Sequence, residues 1–418
     1  PVATKDNLLV QGEAATAGSR VLEGFRAPYT ASALRRLEAA GAVLLGRTNM
    51  DEFGMGSTTE TSCHGPTRNP YGPDLVPGGS SGGSAVAVAA GLCTLAVGSD
   101  TGGSVRQPAA LCGVTALKPT YGRVSLYGLI AYASSLDCVG AIARTAEDLA
   151  LWLDCASGRD PADATSLQDP LPASPALAGA ADLRGLRCGV PWELNGPGVD
   201  DDVLAATRAA ADQLRELGAE IVACSLPAAQ HAVPAYYLLA TTEAASNLAR
   251  YDGVHYGWRR SGAATCAGMT TQTRSAGFGA EVQLRVLLGT FASSYGYSER
   301  FYERARVARD AVRRDFARAF ADCDVLLSPT SPTAAFRFGE HRDDPLARCL
   351  WDALTVPASL AGLPALSMPC GATADGRPIG AQLVAAPGRD ETVLRVAHVF
   401  QQHTGHHLER PDVAERGL

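Results

Sequence analysis

Segments with helical periodicity alternate with short apolar segments along most of this sequence. Apolar residues recur on one helical face in Thr30–Ala40, Asp201–Leu217 and Ser298–Ala321, and each of these segments precedes a strand pattern. The strand patterns are Ala42–Leu45, the residues around Ile221 and Val222, and Val325–Leu327. Such alternation favours an α/β fold, and we expect a large mixed or parallel central sheet covered by helices on both faces.

The 418 residues show no internal repeat and no low-complexity linker. We therefore expect residues 1–418 to form one domain. Only Asp160–Gly185, which is rich in Ala, Asp and Pro, is typical of a long surface connection. The sequence begins abruptly with the strand-like Pro1–Lys5 and no initiator Met, so we expect an N-terminal helical segment to be missing.

Charge and hydropathy exclude two classes of protein. The net charge is −7 and the basic residues are offset by acids, which is not the electrostatic pattern of a nucleic-acid-binding protein. Even the seven arginines between 300 and 318 alternate with acidic residues, which indicates an ion-paired helix surface. No membrane-spanning apolar segment or secretion signal is present, so we expect a soluble, cytoplasmic protein.

The metal-ligating residue types do not form a convincing metal site. Eleven cysteines are spread singly without a C-x-x-C pair, which is typical of buried free thiols in a reducing compartment. His403, His406 and His407 cluster near the C-terminus without an acidic or cysteine partner at ligand spacing. We interpret these histidines as a solvated tail.

Only two of the 36 basic residues, Lys5 and Lys118, are lysines. Arginine stays protonated in proteins, whereas desolvation can neutralise a lysine amine and let it act as a base. Lys5 is therefore a candidate base. The alternative is a compositional bias that left two lysines without special function.

Two loops rich in Gly and Ser are the most informative part of the chain. They lie at Gly78–Ser84 and Ser99–Ser104 and flank a predicted helix, Ala85–Ala90, and the apolar run Leu92–Val97. The N–H groups of three residues of the second loop, Thr101, Gly102 and Gly103, would lie at a helix N-terminus. Such an arrangement forms an oxyanion hole, and Ser104 would present its hydroxyl beside it.

Three other interpretations of the first loop compete with this one. A flexible linker is disfavoured because an apolar helix and strand follow at once. A phosphate-binding loop would need a lysine that Gly82–Ser84 lacks. A nucleophile elbow stays as a weaker alternative, since Gly78–Gly82 matches G-x-S-x-G, but neither a buried strand before it nor an Asp and His partner is evident.

The segments Gly78–Ser84 and Asp100–Pro108 resemble the signature of the amidase signature family. The resemblance covers nearly the whole chain and includes the motifs Lys5–Asn7, Gly46–Phe53, Pro66–Pro70 and Leu117–Ser125. Within the family, Ser246–Gly253 and Thr273–Phe278 are similar to the glutaminase subunits of tRNA-dependent amidotransferases. The implied fold is that of the family, with a catalytic core at residues 1–155 and later segments that complete the sheet and the substrate pocket.

The resemblance implies a catalytic triad of two serines and a lysine. Ser104 would be the nucleophile, Ser80 the middle serine after a cis peptide bond, and Lys5 the base. A serine hydroxyl needs a neighbouring base. A lysine with an ordinary pKa of about 10.4 serves as that base only when burial makes it neutral.

The resemblance also implies a glutamine pocket. Arg285 would bind the substrate carboxylate and Asp352 its ammonium group, while Tyr236 would line the pocket. Ordinary ion pairing is the alternative explanation for these residues. Lys118 is interpreted as structural, and no metal site is expected.

The implied function is hydrolysis of glutamine to supply ammonia for tRNA-dependent amidation. The partners would be a small C subunit and a transamidase (B) subunit, with ATP, Mg and the tRNA bound mainly by the partner and no cofactor in this chain. Two other hypotheses stay open. One is a stand-alone amidase that hydrolyses a small amide, and the other is a catalytically silent scaffold.

Overall fold

The computed structural model describes residues 1–168, 172–340, 344 and 349–412. Its centre is one ten-stranded sheet with the strand order β2-β1-β3-β5-β4-β9-β10-β8-β6-β7. The strands are β1 Val2–Lys5, β2 Leu44–Thr48, β3 Leu95–Asp100, β4 Thr115–Lys118, β5 Cys138–Ala143, β6 Arg187–Pro191, β7 Glu220–Cys224, β8 Val325–Pro329, β9 Ala365–Ala372 and β10 Pro378–Ala385.

The sheet is mixed. Strand β1 pairs in parallel with β2 and β3, and β6 pairs in parallel with β7 and β8. The five pairings between these two groups, from β3 through β5, β4, β9 and β10 to β8, are antiparallel. The register aligns Thr4 with Val97, which brings the end of β1 beside Ser99 near the end of β3.

Helices cover both faces of the sheet, and the described residues contain eleven. They are α1 Ser32–Ala39, α2 Gly82–Ala89, α3 Arg106–Leu111, α4 Ala146–Ala156, α5 Asp201–Glu216, α6 Ala232–Asn247, α7 Cys266–Gly277, α8 Ala280–Ser293, α9 Tyr302–Asp322, α10 Val356–Ala361 and α11 Asp390–His403. Consecutive strand residues point to opposite faces. Thus Leu327 belongs to one core cluster with residues of α1, α4, α5 and α11, whereas Leu326 belongs to a second cluster with residues of α6, α8, α9 and α10. The predicted fold class is confirmed.

Two predicted boundaries were wrong. The longest helix begins at Tyr302 rather than Ser298, because the turn between them is irregular: the Glu303 N–H bonds to the Ser298 carbonyl, five residues back, and Phe301 has φ −113°. The first predicted strand lies two to three residues later than Ala42–Leu45, because Ala42 still bonds back to the end of α1.

The interpretation of the histidines as a solvated tail holds for His403, which is exposed, but was wrong for His407, which is buried. His403 is the last residue of α11, and His406–Leu408 form a short 3-10 turn. The turn is held against the body of the protein, so that His407 is only 8% exposed and the ring of His406 stacks on Phe400.

Other expectations concern the surface and the thiols. All eleven cysteines are free thiols. On α9, Arg306 pairs with Glu303 and Arg313 with Asp310, as expected for an ion-paired helix surface. The connection Asp160–Gly185 contains turns and a short 3-10 segment, and its residues 169–171 lie outside the described residues. Every helix that the structure describes is too short or too polar to cross a membrane.

Candidate active site

Lys5 is the last residue of β1, and its side chain lies inside the protein with 0% exposure. Its Nζ lies 2.7 Å from Ser80 Oγ, 2.9 Å from Ser99 Oγ and 3.2 Å from the Ser99 carbonyl oxygen. Burial lowers the pKa of Lys5 to about 7, against the raising effect of nearby carboxylates, of which Asp51 is the strongest. The amine is therefore available in its neutral form near neutral pH.

The loop before α2 holds Ser80 against this amine. The peptide bond between Gly79 and Ser80 is cis. Gly79 has no room for a side chain, because a Cβ atom there would lie 2.0 Å from Asp51 Oδ2. The Asp51 N–H donates to the Ser80 carbonyl at 3.3 Å, so Asp51 packs behind the serine.

Ser104 follows β3, and its loop lies directly against the loop of Ser80. The Ser81 N–H donates to the Ser104 carbonyl at 3.0 Å, which joins the two loops. Among the described residues, no hydrogen bond joins Ser104 Oγ to Ser80 Oγ. Ser104 is 8% exposed, compared with 1% for Ser80, and is the member of the predicted triad that a substrate can reach most directly.

The predicted oxyanion-hole residues lie in the loop between β3 and α3, immediately before the N-terminus of α3, where they were expected. The Gln107 N–H donates to the Gly103 carbonyl at 2.8 Å, as in the first turn of a helix, and the Val105 N–H donates to the side chain of Asp100. In the described part of the chain, the N–H groups of Gly102, Gly103 and Ser104 make no hydrogen bond. These amides are available to a developing negative charge on a bound substrate.

Close packing fixes the path of this loop. A Cβ atom at Gly102 would lie 2.7 Å from the ring of Tyr236, and one at Gly103 would lie 2.2 Å from Thr355 Oγ1. The Thr101 hydroxyl donates to Asp137 Oδ1 at 2.6 Å. Small residues are therefore required in this loop by their neighbours.

A buried ion pair between Asp100 and Arg106 stabilises the loop between β3 and α3. Arg106 donates to both carboxylate oxygens of Asp100, from Nη2 at 2.9 Å and from Nε at 3.0 Å. Burial alone would raise the pKa of Asp100, but the Arg106 charge and hydrogen bonds hold it below its ordinary value. Arg106 also donates to the carbonyl of Thr355 and to Ser359 Oγ, which connects the loop to α10.

Arg285 lines a cavity of about 130 Å³ together with Ser57, Thr58, Tyr237 and Trp351. Its Nε donates to Glu281 Oε1 at 2.8 Å and its Nη1 donates to the Tyr132 hydroxyl at 2.8 Å. Within the described residues, Nη2 makes no hydrogen bond. This edge of the Arg285 guanidinium is therefore available to bind a carboxylate.

Neither Asp352 nor Tyr236 is among the residues that line this cavity. Asp352 Oδ2 accepts a 2.8 Å hydrogen bond from Ser57 Oγ, and burial raises the pKa of this carboxyl to about 6. Tyr237, not Tyr236, lines the cavity, whereas Tyr236 lies between the oxyanion loop and Tyr132. Lys118 lies outside this arrangement, with its Nζ donating to the Pro119 carbonyl at 2.9 Å.

Sequence analysis missed four polar residues that support the site: Asn7, Ser57, Ser99 and Asp137. Asn7 lies in the quoted motif Lys5–Asn7, and Ser99 begins the second glycine loop. Ser99 contacts Lys5, and Asn7 contacts Ser99; both contacts depend on the pairing of β1 with β3, which no local pattern encodes. Ser57 and Asp137 carried no signal in the sequence.

A model of the amidase family matches residues 1–394. The chain belongs to the amidase family. It is 52% identical over 415 residues to the A subunit of the glutamyl-tRNA(Gln) amidotransferase of Synechococcus sp. (strain WH7803), and this match covers 99% of the chain and 85% of that relative.

Several solved structures share the fold. The A subunit of the glutamyl-tRNA(Gln) amidotransferase from Thermotoga maritima superposes with a TM-score of 0.84 at 38% identity, covering 99% of this chain and 86% of that one. A 6-aminohexanoate cyclic dimer hydrolase superposes with a TM-score of 0.83 at 29% identity, with the same two coverages. Proteins of this fold therefore include both a hydrolase and one component of an amidotransferase.

Proposed function

We propose that this amidase is the glutaminase subunit of a tRNA-dependent amidotransferase. It hydrolyses glutamine, and the ammonia converts Glu-tRNA(Gln) or Asp-tRNA(Asn) to the amide form. The observation that carries the catalytic part is the buried Lys5 amine, 2.7 Å from Ser80 Oγ and beside the Ser104 loop. The choice of glutamine is supported by the names of the relatives at 52% and 38% identity.

Acylation begins when Ser104 Oγ attacks the carboxamide carbon of glutamine. The Ser104 proton passes to Ser80 Oγ as the Ser80 proton passes to neutral Lys5, so Ser80 ends with one proton again. The tetrahedral oxyanion accepts hydrogen bonds from the amides of Thr101–Ser104. The C–N bond then breaks, and the leaving nitrogen takes a proton from Lys5 through Ser80 and departs as ammonia.

Deacylation uses the same residues, and protons again pass first to Lys5 and then back from it through Ser80. Water attacks the glutamyl ester, and Lys5 accepts its proton through Ser80. When the C–O bond breaks, Ser104 Oγ is reprotonated by the same path and glutamate is released. Lys5 is a competent base in both halves because the pKa of its amine, about 7, lies near the working pH.

The cavity lined by Arg285 and Ser57 supports an amino acid as substrate. We assign the substrate carboxylate to Arg285 and its ammonium group to Asp352, with Tyr236 holding the oxyanion loop against the pocket. The Arg285 guanidinium and the Asp352 carboxylate are opposite charges on different segments, and neither pairs directly with the other. Glu281 and Ser57 hold them in place at 2.8 Å each.

The remaining steps of the reaction are assigned to partners. We propose a transamidase (B) subunit, which would bind ATP, Mg and the tRNA, and a small C subunit. The chain has no phosphate-loop motif and a net charge of −7, and both features support the location of these tasks elsewhere. We propose the cytoplasm as the compartment, since charged tRNA is used there.

The test is ammonia release from glutamine by the purified chain, alone and with B and C subunits, ATP and charged tRNA. We expect low activity for the chain alone and a large gain in the assembled complex. Ser104→Ala in the complex is the control and should abolish ammonia release. Full activity in that variant would show that Ser104 is not the nucleophile.

A stand-alone amidase that hydrolyses a small amide is the second candidate. Its support is the 6-aminohexanoate cyclic dimer hydrolase, which has the same fold at 29% identity. Strong activity of the isolated chain on small amides, with little activity on glutamine even in the complex, would establish this second function.

A further inference from the structure

The neutral amine of Lys5 has three polar neighbours for two N–H groups and one lone pair. The Ser99 carbonyl can only accept, so it takes one N–H at 3.2 Å. The other N–H and the lone pair are divided between Ser80 Oγ at 2.7 Å and Ser99 Oγ at 2.9 Å. The division decides whether Lys5 can act as a base.

Lys5 accepts the Ser80 proton only if its lone pair faces Ser80. Its second N–H must then donate to Ser99 Oγ, and the Ser99 proton needs a different acceptor. If the Ser99 hydroxyl instead points at Nζ, it occupies the lone pair and Ser80 receives an N–H. The direction of one hydroxyl, that of Ser99, therefore switches the proton relay between a productive and a blocked arrangement.

Asn7 is the residue that can set this direction. It is 4% exposed, its Nδ2 lies 2.9 Å from Ser99 Oγ, and its Oδ1 is buried without a hydrogen-bond partner. The oxygen and nitrogen ends of an amide have nearly the same shape, so a half-turn of the side chain exchanges them. After this exchange Oδ1 accepts the Ser99 proton.

We propose that Asn7 is a positioning residue that holds the Ser99 hydroxyl away from Lys5 and thereby directs the Lys5 lone pair to Ser80. The inference rests on the proposed Ser104–Ser80–Lys5 relay. Asn7 touches neither the substrate nor the reacting atoms and acts only through Ser99. Its backbone is fixed, since the Asn7 carbonyl accepts a 2.8 Å hydrogen bond from the Ile130 N–H.

Changes at Asn7 leave the acidic groups around Lys5 in place, and these are Asp51, Asp100 and Asp137. Burial raises the pKa of Asp137 to about 7, so this group titrates in the same range as Lys5 in the parent and in every variant. A difference in midpoint between a variant at position 7 and the parent therefore reports the hydrogen bonds of Lys5 and any charge introduced at position 7.

The experiment measures the rate at which a fluorophosphonate probe labels Ser104 in the full chain, as a function of pH. Ser104 Oγ forms a bond to phosphorus, fluoride leaves with its electron pair, and the Ser104 proton passes through Ser80 to Lys5. This reaction reports activation of the serine without requiring that glutamine be the substrate. Thermal unfolding of every variant is measured alongside.

We expect Asn7→Leu to lower the labelling rate about tenfold, the effect of about one lost hydrogen bond. It should also shift the midpoint of the acidic limb to lower pH, because the Ser99 hydroxyl then donates to neutral Lys5 and stabilises it. Asn7→Asp keeps an acceptor but adds a negative charge that favours protonated Lys5. Its midpoint should shift to higher pH, with the rate at high pH within a few-fold of the parent.

A double-mutant cycle separates a role through Ser99 from a general structural role. In a Ser99→Ala background, Asn7→Leu should cause no further loss of rate, whereas in a Ser99→Thr background it should cause the full loss. Asn69→Leu is the matched control. Asn69 is a buried asparagine that donates to the carbonyls of Val76 and Leu111, and its replacement should leave the midpoint unchanged.

The outcomes distinguish the two proposals. Suppose that the probe labels Ser104 in the parent. The role of Asn7 is then overturned, while the triad stands, if Asn7→Leu is labelled at the parent rate. It is also overturned if Asn7→Leu lowers the labelling rate by the same factor in the Ser99→Ala background as in the parent. Midpoints that shift in the same direction for Asn7→Leu and Asn7→Asp would overturn it as well. If the parent chain is not labelled at Ser104, both the triad and the inference drawn from it fail.

Discussion

The Thr101 hydroxyl donates a 2.6 Å hydrogen bond to the buried carboxylate of Asp137. The other oxygen of Asp137 accepts from the N–H groups of Tyr132 and Ala133 at 2.9 and 3.0 Å. Tyr132 in turn binds Arg285 through its hydroxyl. One carboxylate therefore connects the loop that would stabilise the oxyanion with the side chain that would bind the substrate.

Replacement of this carboxylate should impair catalysis and stability together. Asp137→Asn leaves one acceptor oxygen where three donors converge, so we expect a loss of about 1–3 kcal/mol in the free energy of unfolding. We also expect kcat for glutamine to fall at least tenfold as the Thr101 loop loosens. Urea denaturation and steady-state kinetics of the assembled complex measure the two effects.

Thr101→Val is the control for this prediction, because it removes only the hydrogen bond between Thr101 and Asp137. It should lower kcat with a smaller loss of stability. A parent-like kcat in both variants would show that the connection has no part in catalysis.

The protonation of Lys5 should govern the pH dependence of the reaction. Only the neutral amine accepts a proton, and its pKa is about 7, so the acylation rate should fall about tenfold per pH unit well below pH 7. Lys5→Arg should be inactive throughout this range, since a guanidinium stays protonated. A pH profile of kcat at saturating glutamine tests both expectations without the contribution of Asp352 to KM, and a flat profile from pH 5 to pH 8 would contradict them.

The same amine should make stability depend on pH. Between about pH 7 and the ordinary lysine value of 10.5, the unfolded chain binds a proton that the folded chain does not. The free energy of unfolding should therefore rise with pH across this window. Lys5→Met removes the burial cost, which at pH 7 is on the order of 4 kcal/mol, and should be more stable than the parent although inactive. Denaturation of both proteins at pH 7 and pH 10 provides the measurement; equal stability at pH 7 would mean that Lys5 is not desolvated.

Asp352 should control the binding of glutamine more than the chemical step. Because burial raises the pKa of this carboxyl to about 6, it becomes protonated below that pH and loses its attraction for an ammonium group. KM for glutamine should then rise as the pH falls below 6, while KM of Asp352→Asn should be high and nearly independent of pH. Ser57→Ala, which removes the donor 2.8 Å from Asp352, should raise the pKa and shift the onset to higher pH. A constant KM in the parent between pH 5 and pH 7 would contradict the assignment.

The parts of the fold that local periodicity determines were predicted closely from the sequence. The helix predicted at Asp201–Leu217 is observed at Asp201–Glu216, because an apolar stripe on a long segment has one way to be buried. The start of α9 was placed four residues too early, because the irregular turn between Ser298 and Tyr302 depends on backbone conformation rather than on the stripe.

The candidate site was located through the glycine loops, but its inner contacts could not be predicted. Asn7 and Ser99 are 92 positions apart and meet because β1 and β3 pair in parallel at one register. Hydrophobic alternation indicates that a strand is buried, and it does not state which strand lies beside it. The oxyanion amides lie just before the N-terminus of α3, as the sequence indicated, whereas the bond from the Val105 N–H to the side chain of Asp100 was not predicted.

The stability of the protein should depend on Asp100 and Arg106 together rather than on either charge alone. Both side chains are 0% exposed, so removal of one charge leaves the other desolvated and unpaired. We expect Arg106→Met to cost about 3–5 kcal/mol in the free energy of unfolding, because Asp100 loses its two charged hydrogen bonds. The double variant Asp100→Asn with Arg106→Met should be more stable than Arg106→Met alone, since it contains no unpaired charge. Arg313→Met, which removes an exposed partner of Asp310, is the surface control and should change stability by less than about 0.5 kcal/mol. If the double variant shows the sum of the two single losses, the two residues act independently, and the loop is not braced by the pair.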